Sequence, residues 1–304
     1  MGTPEFAVPT LAALHRSRHD LRQVVTQPDR PSGRGRKMTA PPVKEAARRL
    51  GLSVLQPGSI HDEDFCGQLK ALNADVFITI AFGRLLPPAL LNLPRCGAVN
   101  LHASLLPKYR GPAPIQWALI NGETQTGMTA MRMDTGMDTG DILAASAIPI
   151  HEKDTAGSLH DRLSQTAAVL ALDTLEGLAR GTLVPKPQAS ENATYAPLLK
   201  KKDGHIEWKQ PADQIERMVR GMNPWPGAFT FCGGRRLKIY QVTPIVLQTD
   251  RPPGTVLRSY PGELRVAAGR DAVLIDEIQG ASGRCLCAKD FLCGCDLPPG
   301  TVLT

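Results

Sequence analysis

Asn100 and His102 stand two residues apart at the end of an apolar run typical of a buried strand. Alternate residues of a strand point to the same face, so the amide and the imidazole would project together. A hydrogen-bond donor beside a group that can carry a proton suits acyl transfer, in which negative charge develops on an oxygen. A turn-forming asparagine beside a structural histidine explains this stretch alone equally well.

Three aspartates follow in the glycine-rich stretch "MDTGMDTGD": Asp134, Asp138 and Asp141. In an α/β sheet this loop would lie beside the Asn100–His102 strand end, so that one carboxylate could orient His102. The residue types do not choose among the three aspartates. A solvated turn is the alternative, and a calcium loop is disfavoured because the glycine spacing does not match the EF-hand pattern.

A basic stretch covers residues 26–44, "TQPDRPSGRGRKMTAPPVK". Its cationic residues are Arg30, Arg34, Arg36, Lys37 and Lys44, and Asp29 is the only acid. This pattern predicts a flexible cationic loop suited to phosphates, with a solvated surface loop as the alternative. The spacing does not fit a Walker phosphate loop.

Composition limits the classes of protein that need to be considered. The 304 residues carry a formal net charge of +6, which permits an anionic partner. No apolar run reaches the roughly 20 residues needed to cross a bilayer, and no signal peptide opens the chain. We therefore expect a cytoplasmic protein without membrane contact. Seven cysteines in such a chain are expected to be reduced.

Four of these cysteines lie in "CLCAKDFLCGC": Cys285, Cys287, Cys293 and Cys295. Structural zinc sites usually use wider spacings, and no histidine lies nearby. We expect small, partly buried residues here and no metal site.

The first 150 residues alternate short apolar strands with helical stretches. Helices are expected near residues 42–51, 64–72 and 156–180, the last from its apolar spacing. This βαβ order predicts an α/β fold with a Rossmann-like, twisted and largely parallel sheet.

The amino-acid composition of the sequence changes after Gly181. Residues 182–203 are rich in proline, lysine and polar residues and are predicted to form an extended linker. Short strands separated by glycine and proline follow over residues 204–304, which indicates a small β-barrel. The predicted domains are therefore residues 1–181 and 204–304.

Taken together, these stretches resemble the methionyl-tRNA formyltransferase family, a branch of the folate-dependent formyltransferases. The matching motifs, in order, are "GTPEFAVP", "TQPDRPSGRGRK", "VNLHASLLPKYRGPAPI", "MDTGMDTGDIL" and "MNPWPGAF". The Asn-x-His strand, the "SLLP" loop and the aspartate loop belong to all folate-dependent formyltransferases. The basic stretch and "KKKDGHIEW…GMNPWPGAF" are more specific to the tRNA enzyme.

The resemblance implies a role for each motif residue. Asn100, His102 and Asp138 would be catalytic. The 10-formyltetrahydrofolate co-substrate would bind at Ser104, Leu105, Leu106, Pro107, Phe82, Gly83, Arg84 and Leu85. Initiator methionyl-tRNA would meet Arg30, Arg34, Arg36 and Lys37, with Arg34 reaching the acceptor end. The first domain would be catalytic and the second an OB-like, tRNA-binding barrel, in a monomeric enzyme that needs no metal.

Two other functions are compatible with parts of this pattern. One is a folate-dependent formyltransferase for another amine, such as a purine precursor or an amino-sugar nucleotide. The other is a non-catalytic RNA-binding protein with a vestigial folate site. The sequence also departs from the family, which carries an apolar strand ahead of the Gly2–Pro4 motif. We expect a further six to eight apolar residues there, and exposed backbone edges in the sheet without them.

Overall fold

The computed structural model describes residues 1–33, 35, 37–258, 261–280 and 283–304, and they form two compact units. The first unit comprises residues 1–114, 125–149 and 160–196. The second comprises residues 115–124, 150–159 and 197–304. Arg34 and Arg36 of the basic stretch lie outside the described residues.

The helices and strands alternate through the first part of the chain, as the sequence predicts. Up to residue 180 they are α1 (Val8–Arg16), β1 (Val24–Val25), β2 (Arg30–Ser32), β3 (Lys37–Thr39), α2 (Pro42–Arg49), β4 (Val54–Leu55), α3 (Glu63–Ala71), β5 (Phe77–Thr79), α4 (Pro88–Leu91), β6 (Ala98–His102), α5 (Pro114–Ile120), β7 (Gln125–Arg132), β8 (Ile142–Pro149) and α6 (Ala156–Arg180). Beyond it they are α7 (Ala212–Met222), β9 (Ala228–Cys232), β10 (Arg235–Ile245), β11 (Leu264–Ala267), β12 (Ala272–Gln279), β13 (Leu286–Cys287) and α8 (Ala288–Gly294). Short 3₁₀ turns lie at Glu5–Ala7, Ser190–Asn192 and Lys201–Gly204.

Local signals set the ends of the shorter helices. α2 starts at Pro42, where the missing N–H costs nothing, and Gly51 follows it with a φ of 70°. α3 is capped by Asp62, whose side chain accepts a hydrogen bond from the Phe65 N–H at 2.9 Å. The predicted helices near residues 42–51 and 64–72 are therefore confirmed to within one or two residues.

The long helix α6 has the bounds that its apolar spacing predicts. Leu163, Ala167 and Ala171 are fully buried along one face. None of the helices in the described part of the chain is both long and apolar enough to cross a membrane.

The sheets of the first unit mix parallel and antiparallel strands. β1 pairs with β4 and β5 pairs with β6, both in parallel. β7 then runs antiparallel to β6, and β8 runs antiparallel to β7. The α/β class is confirmed, but the expectation of a largely parallel sheet is wrong for β7 and β8. Only nine residues join these two strands, fewer than the dozen or more that a parallel crossover needs.

Met1 and Gly2 lie between β1 and the residue that follows β5. The Gly2 N–H donates to the Val25 carbonyl at 3.0 Å, and the Ile80 N–H donates to the Met1 carbonyl at 3.0 Å. These contacts give backbone partners to the ends of both strands. A cavity of about 480 Å³ lies alongside, with β1 and β5 among its walls.

The second unit is built on an antiparallel sheet with strand order β11–β12–β10–β9, in which β13 also pairs with β12. Residues 254–257 hydrogen-bond to β11 on one side and to residues 301–304 on the other. Thr304 exchanges two backbone hydrogen bonds with Phe231 of β9, at 2.6 and 2.9 Å. The result is a curled sheet whose core includes the fully buried Ile275.

The four clustered cysteines lie around β13 and α8. Cys285, Cys287 and Cys293 are exposed and Cys295 is half-buried, so the expectation of partly buried residues is wrong for three of them. The reason is that α8 buries Ala288 and Phe291 instead. Within the described residues, no group of three or more His, Cys, Asp or Glu side chains could hold a metal ion.

Candidate active site

Asn100 and His102 lie on the same face of β6, at the carboxyl half of the strand. His102 is 6% exposed, and its Nε2 lies 2.9 Å from the backbone carbonyl oxygen of Tyr109. Because that oxygen can only accept, the Nε2 proton points at Tyr109. The other ring nitrogen, Nδ1, therefore faces the remaining neighbour of the ring, Asp138.

Asp138 brings a carboxylate to both side chains. Its Oδ1 lies 3.6 Å from His102 Nδ1 and 3.4 Å from Asn100 Nδ2. Its Oδ2 accepts a hydrogen bond from the Gly111 N–H at 2.9 Å. The backbone of Asp138 has a φ of 55°, a region that few residues other than glycine adopt. An amide, an imidazole and a carboxylate thus meet around one point, as acid–base chemistry on an acyl group requires.

The other aspartates of the loop have different surroundings. The Asp134 carboxylate accepts hydrogen bonds from the Gly136 N–H at 3.0 Å and from the Thr139 hydroxyl at 2.7 Å, in an exposed turn. Asp141 accepts the Arg132 N–H through its backbone carbonyl at 2.8 Å. Of the three, Asp138 is the aspartate that the structure brings to His102.

The aspartate loop reaches the site by a path that the sequence did not predict. Because β7 is antiparallel to β6, the loop begins at the opposite end of β6, where the Met133 N–H donates to the Ala98 carbonyl at 2.7 Å. It then doubles back over the sheet. Gly140 permits this, since a Cβ there would lie 1.7 Å from the Arg132 carbonyl oxygen. The expectation of two loops leaving the same strand end is therefore wrong, although Asp138 meets His102.

Thr79 of β5 is a further polar residue at the site, and sequence reasoning missed it. It stands opposite Asn100 in the parallel pairing and is 2% exposed. Its hydroxyl lies 3.0 Å from Asn100 Oδ1 and can donate to it. With Oδ1 engaged, the Asn100 NH₂ group is turned towards Asp138. A hydroxyl inside the apolar run "DVFITI" was the available signal.

The loop at residues 104–107 follows β6 and is pinned to β7. The Ser104 hydroxyl donates to the Lys108 carbonyl at 2.6 Å. The Thr129 hydroxyl donates to the Ser104 carbonyl at 2.7 Å and accepts from the Leu106 N–H at 3.1 Å. The backbone of this loop is held through the buried Thr129, while Leu105 and Pro107 remain half-buried.

The segment from Phe82 to Leu85 follows β5, the parallel neighbour of β6. Phe82 is buried, and its carbonyl accepts from the Gln27 side chain at 2.8 Å. Gly83 has a φ of 75°, and Arg84 Nη1 donates to the Pro57 carbonyl at 3.3 Å. Leu85 is 58% exposed. This segment and the loop at 104–107 thus leave the carboxyl ends of adjacent parallel strands, where α/β sheets bind ligands.

Within the described residues of the basic stretch, β2 and β3 form the two arms of a hairpin, where the sequence predicts a flexible loop. β2 and β3 pair in antiparallel register, with Arg30 opposite Thr39, and both Arg30 and Lys37 are exposed. Three cross-strand residue pairs hold both arms in the extended conformation. Lys44, which the sequence grouped with these cations, is 9% exposed and does not share their surface.

Lys44 instead holds the base of the hairpin. Its Nζ donates to both carboxylate oxygens of Asp29, at 2.7 and 2.8 Å. Gln56 Nε2 donates to Asp29 Oδ1 and to the Gln27 carbonyl, each at 2.8 Å. The hydrogen bond from Lys44, followed by that from Gln56, lowers the pKa of Asp29 below its ordinary value.

Comparisons with known proteins bear on both units. The family model described as "Formyl transferase" matches residues 1–175, and "Formyl transferase, C-terminal domain" matches residues 198–296. A curated methionyl-tRNA formyltransferase from Caldanaerobacter subterraneus subsp. tengcongensis is 48% identical over 304 residues, covering 100% of this chain and 98% of that protein. One from Geobacter metallireducens is 48% identical over 300 residues, covering 99% and 96%.

Solved structures show a similar fold at low identity. An N-formyltransferase from Helicobacter canadensis, in complex with folinic acid and dTDP-3-aminofucose, has a TM-score of 0.66 and 18% identity, over 90% of this chain and 96% of that one. HypX from Aquifex aeolicus in complex with tetrahydrofolic acid has a TM-score of 0.58 and 20% identity, over 82% of this chain. The match spans 43% of the HypX chain.

Proposed function

This chain belongs to the methionyl-tRNA formyltransferase family, and we propose that it transfers a formyl group from 10-formyltetrahydrofolate to the α-amine of initiator methionyl-tRNA. The observation that carries the proposal is the meeting of Asn100, His102 and Asp138 at one point of the sheet. Such a product serves translation initiation. The near-complete coverage of curated relatives supports this acceptor over a different amine.

The proposed reaction is an acyl transfer in which the amine of methionyl-tRNA attacks the formyl carbon. The bond from that carbon to the folate nitrogen then breaks, and tetrahydrofolate leaves. Because that amine is itself the nucleophile, no side chain has to form a covalent bond. Negative charge on the formyl oxygen requires hydrogen-bond donors placed in advance. The Asn100 NH₂ group, oriented by Thr79, supplies one such donor. The Nδ1–H of a protonated His102 supplies the other, because Asp138 Oδ1 lies 3.6 Å away, beyond hydrogen-bond distance, and leaves that proton free for the formyl oxygen.

Asp138 is proposed to orient the His102 ring and to take part in proton transfer. Its carboxylate faces His102 Nδ1, while the Tyr109 carbonyl occupies Nε2. A ring with acceptors at both nitrogens keeps its orientation when it carries a second proton. The same carboxylate can accept the proton that the attacking amine loses, and this proton is then passed to the folate nitrogen.

The folate is proposed to bind between the loop at Ser104–Pro107 and the segment at Phe82–Leu85. A pteridine ring needs a flat apolar contact together with backbone donors and acceptors. Both segments offer apolar side chains, among them the exposed Leu85 and the half-buried Leu105. They leave adjacent strands next to His102, which would bring the formyl group to the donors.

The tRNA is proposed to meet two elements, each on its own unit. The first is the hairpin with the exposed Arg30 and Lys37. Arg34 and Arg36 of the same sequence stretch are proposed to contact the tRNA as well. The second is the curled sheet over residues 204–304, which we propose is a closed, OB-like barrel. Its closure would run through residues 254–257 and 301–304, which link β11 to β9 by hydrogen bonds. OB barrels commonly bind nucleic acid.

We propose residues 1–181 as the catalytic domain, 182–203 as the connection and 204–304 as the tRNA-binding domain of a cytoplasmic monomer. Sedimentation of the purified chain tests the oligomeric state. A single species of the mass of one chain is expected, and a dimer would contradict it.

Formyl transfer to a panel of acceptors tests the proposed function. The purified protein is given 10-formyltetrahydrofolate with methionyl-tRNA, uncharged tRNA, a purine-precursor amine or an amino-sugar nucleotide. We expect transfer to methionyl-tRNA alone. Preferred transfer to either small amine would replace this function by that of the corresponding formyltransferase. RNA binding without any transfer would leave a binding protein with a vestigial folate site.

A further inference from the structure

The segment at residues 186–196 lies between the two matched family models, which end at residue 175 and begin at residue 198. It nevertheless belongs to the first unit and pairs with its backbone. Lys186 and Ile142 exchange two backbone hydrogen bonds, at 2.8 and 2.9 Å. Arg110 donates to the Thr194 carbonyl and accepts from the Ala196 N–H, each at 2.8 Å. The segment therefore runs along the loops that carry the site.

Both the nitrogen and the oxygen of the Gln188 carboxamide form hydrogen bonds to these loops. Nε2 donates to the Asp138 carbonyl at 2.9 Å and to the Gly140 carbonyl at 2.8 Å. Oε1 accepts from Arg110 Nε at 3.0 Å and from Arg110 Nη2 at 2.7 Å. Both N–H donors and both acceptor positions of the carboxamide are thus in use. Gln188 thus contacts the backbone of Asp138, whose positive φ directs its carboxylate towards His102.

Thr194 supports the histidine from the other side. Its hydroxyl accepts the Tyr109 N–H at 2.9 Å. Tyr109 has a φ of 61°, and its carbonyl is the acceptor of His102 Nε2 at 2.9 Å. One short segment therefore contacts the backbone of both residues that fix the His102–Asp138 pair.

We propose that Gln188 is a positioning residue for Asp138, and that residues 186–196, although they lie in the proposed connection, support catalysis by holding the loops of the site. Gln188 fixes the backbone of Asp138 in the conformation that turns its carboxylate towards His102. Thr194 fixes Tyr109, and through its carbonyl the plane of the His102 ring. The effect on catalysis rests on the proposed function, whereas the effect on the geometry of Asp138 and His102 does not.

Two substitutions separate this role from a merely structural one. Gln188→Glu keeps an acceptor for Arg110 but has no N–H for the carbonyls of Asp138 and Gly140. Gln188→Met removes all four hydrogen bonds at similar length. Glu191→Gln, in the exposed 3₁₀ turn of the same segment, is the matched control. Melting temperature and circular dichroism identify any variant that fails to fold.

The transfer rate and the NMR signals of the His102 ring nitrogens are the two readouts. We expect both Gln188 variants to lose about ten- to a hundredfold in kcat, as misplacement of a catalytic group does, with KM for either substrate unchanged within about twofold. Both should also shift the His102 signals, and Glu191→Gln should shift neither readout. A Gln188→Glu variant with wild-type kcat and His102 signals would overturn the proposal, because Gln188 would then serve Arg110 alone. If wild type transfers no formyl group, the proposed function fails, and the His102 signals still decide the positioning role.

Discussion

His102 and Asp138 face each other with 3.6 Å between Nδ1 and Oδ1, while the far side of the ring lies 2.9 Å from the Tyr109 carbonyl. Both ring nitrogens of this buried histidine therefore point at oxygens that accept hydrogen bonds. The ring cannot turn over without losing a partner on each side. Asn100 shares the same carboxylate oxygen, so one aspartate contacts both polar side chains of β6.

Replacing Asp138 is expected to be far more damaging than replacing Asp134. Asp138→Asn keeps the shape but removes the charge that faces His102 and places an NH₂ group in the cluster. We expect a loss of at least a hundredfold in kcat, the scale typical of removing one electrostatic contact to the reacting group. Asp134→Asn, in its exposed turn, is the matched control and should be much milder. Steady-state kinetics would show that the wrong aspartate was chosen if the order is reversed.

Thr79 is expected to act through the orientation of Asn100. Thr79→Val has nearly the same shape but cannot donate to Asn100 Oδ1, so the amide is free to turn over. The loss of one such hydrogen bond corresponds to roughly a five- to tenfold lower kcat. Thr79→Ser keeps the hydroxyl and should restore most of the rate. Equal rates for the valine and serine variants would exclude this role.

The hairpin is expected to bind tRNA through phosphates. Arg30→Ala and Lys37→Ala should each weaken tRNA affinity and lower the slope of log affinity against log salt by about one, because each lost contact releases one counterion fewer. Folate binding should not change. Lys70→Ala, on the exposed face of α3, is the control. Filter binding over a range of salt concentrations measures this, and a salt-independent affinity would contradict the electrostatic interpretation.

Asp29 is expected to hold the hairpin in position as long as its carboxylate is ionised. Its pKa is lowered in the folded protein, so the stabilisation is complete at neutral pH and is lost only as the pH falls through that lowered pKa. NMR titration of the Asp29 carboxyl carbon should give a midpoint below the ordinary value of an aspartate. A midpoint at or above that ordinary value would contradict the contact with Lys44.

Asp29→Asn removes the ion pair with Lys44 at all pH values. We expect a raised KM for tRNA with an unchanged KM for folate. Asp20→Asn, which affects an exposed surface pair, is the control. An Asp29→Asn variant with wild-type KM for tRNA would show that the hairpin needs no such anchor.

The sequence predicts the elements of the fold better than their directions. The bounds of α6 follow from its apolar spacing and from Gly181 at its end. Strand periodicity reports which face is buried, but it is the same for parallel and antiparallel neighbours, so β7 and β8 could not be assigned. Because strand direction could not be predicted, the path by which the aspartate loop returns to the sheet could not be predicted either.

The residue types that do chemistry could be found from the sequence, and those that position them could not. Asn100 and His102 stand out because a strand places them on one face. Thr79 and Gln188 act through contacts 21 and 50 residues away, which no local pattern encodes. Family resemblance alone distinguishes Asp138 from Asp134, since both stand in the same local sequence, "MDTG".

Single-turnover formyl transfer to methionyl-tRNA, with both substrates saturating, tests most directly whether Asn100 and His102 carry the reaction. Under these conditions neither binding nor product release limits the rate, so the measured constant reports the chemical step. We expect Asn100→Ala and His102→Ala each to lower it by about a hundredfold or more, the loss typical of one oxyanion donor, with little change in either dissociation constant. Near-wild-type rates in either variant would remove that residue from the mechanism and contradict the assignment of this site.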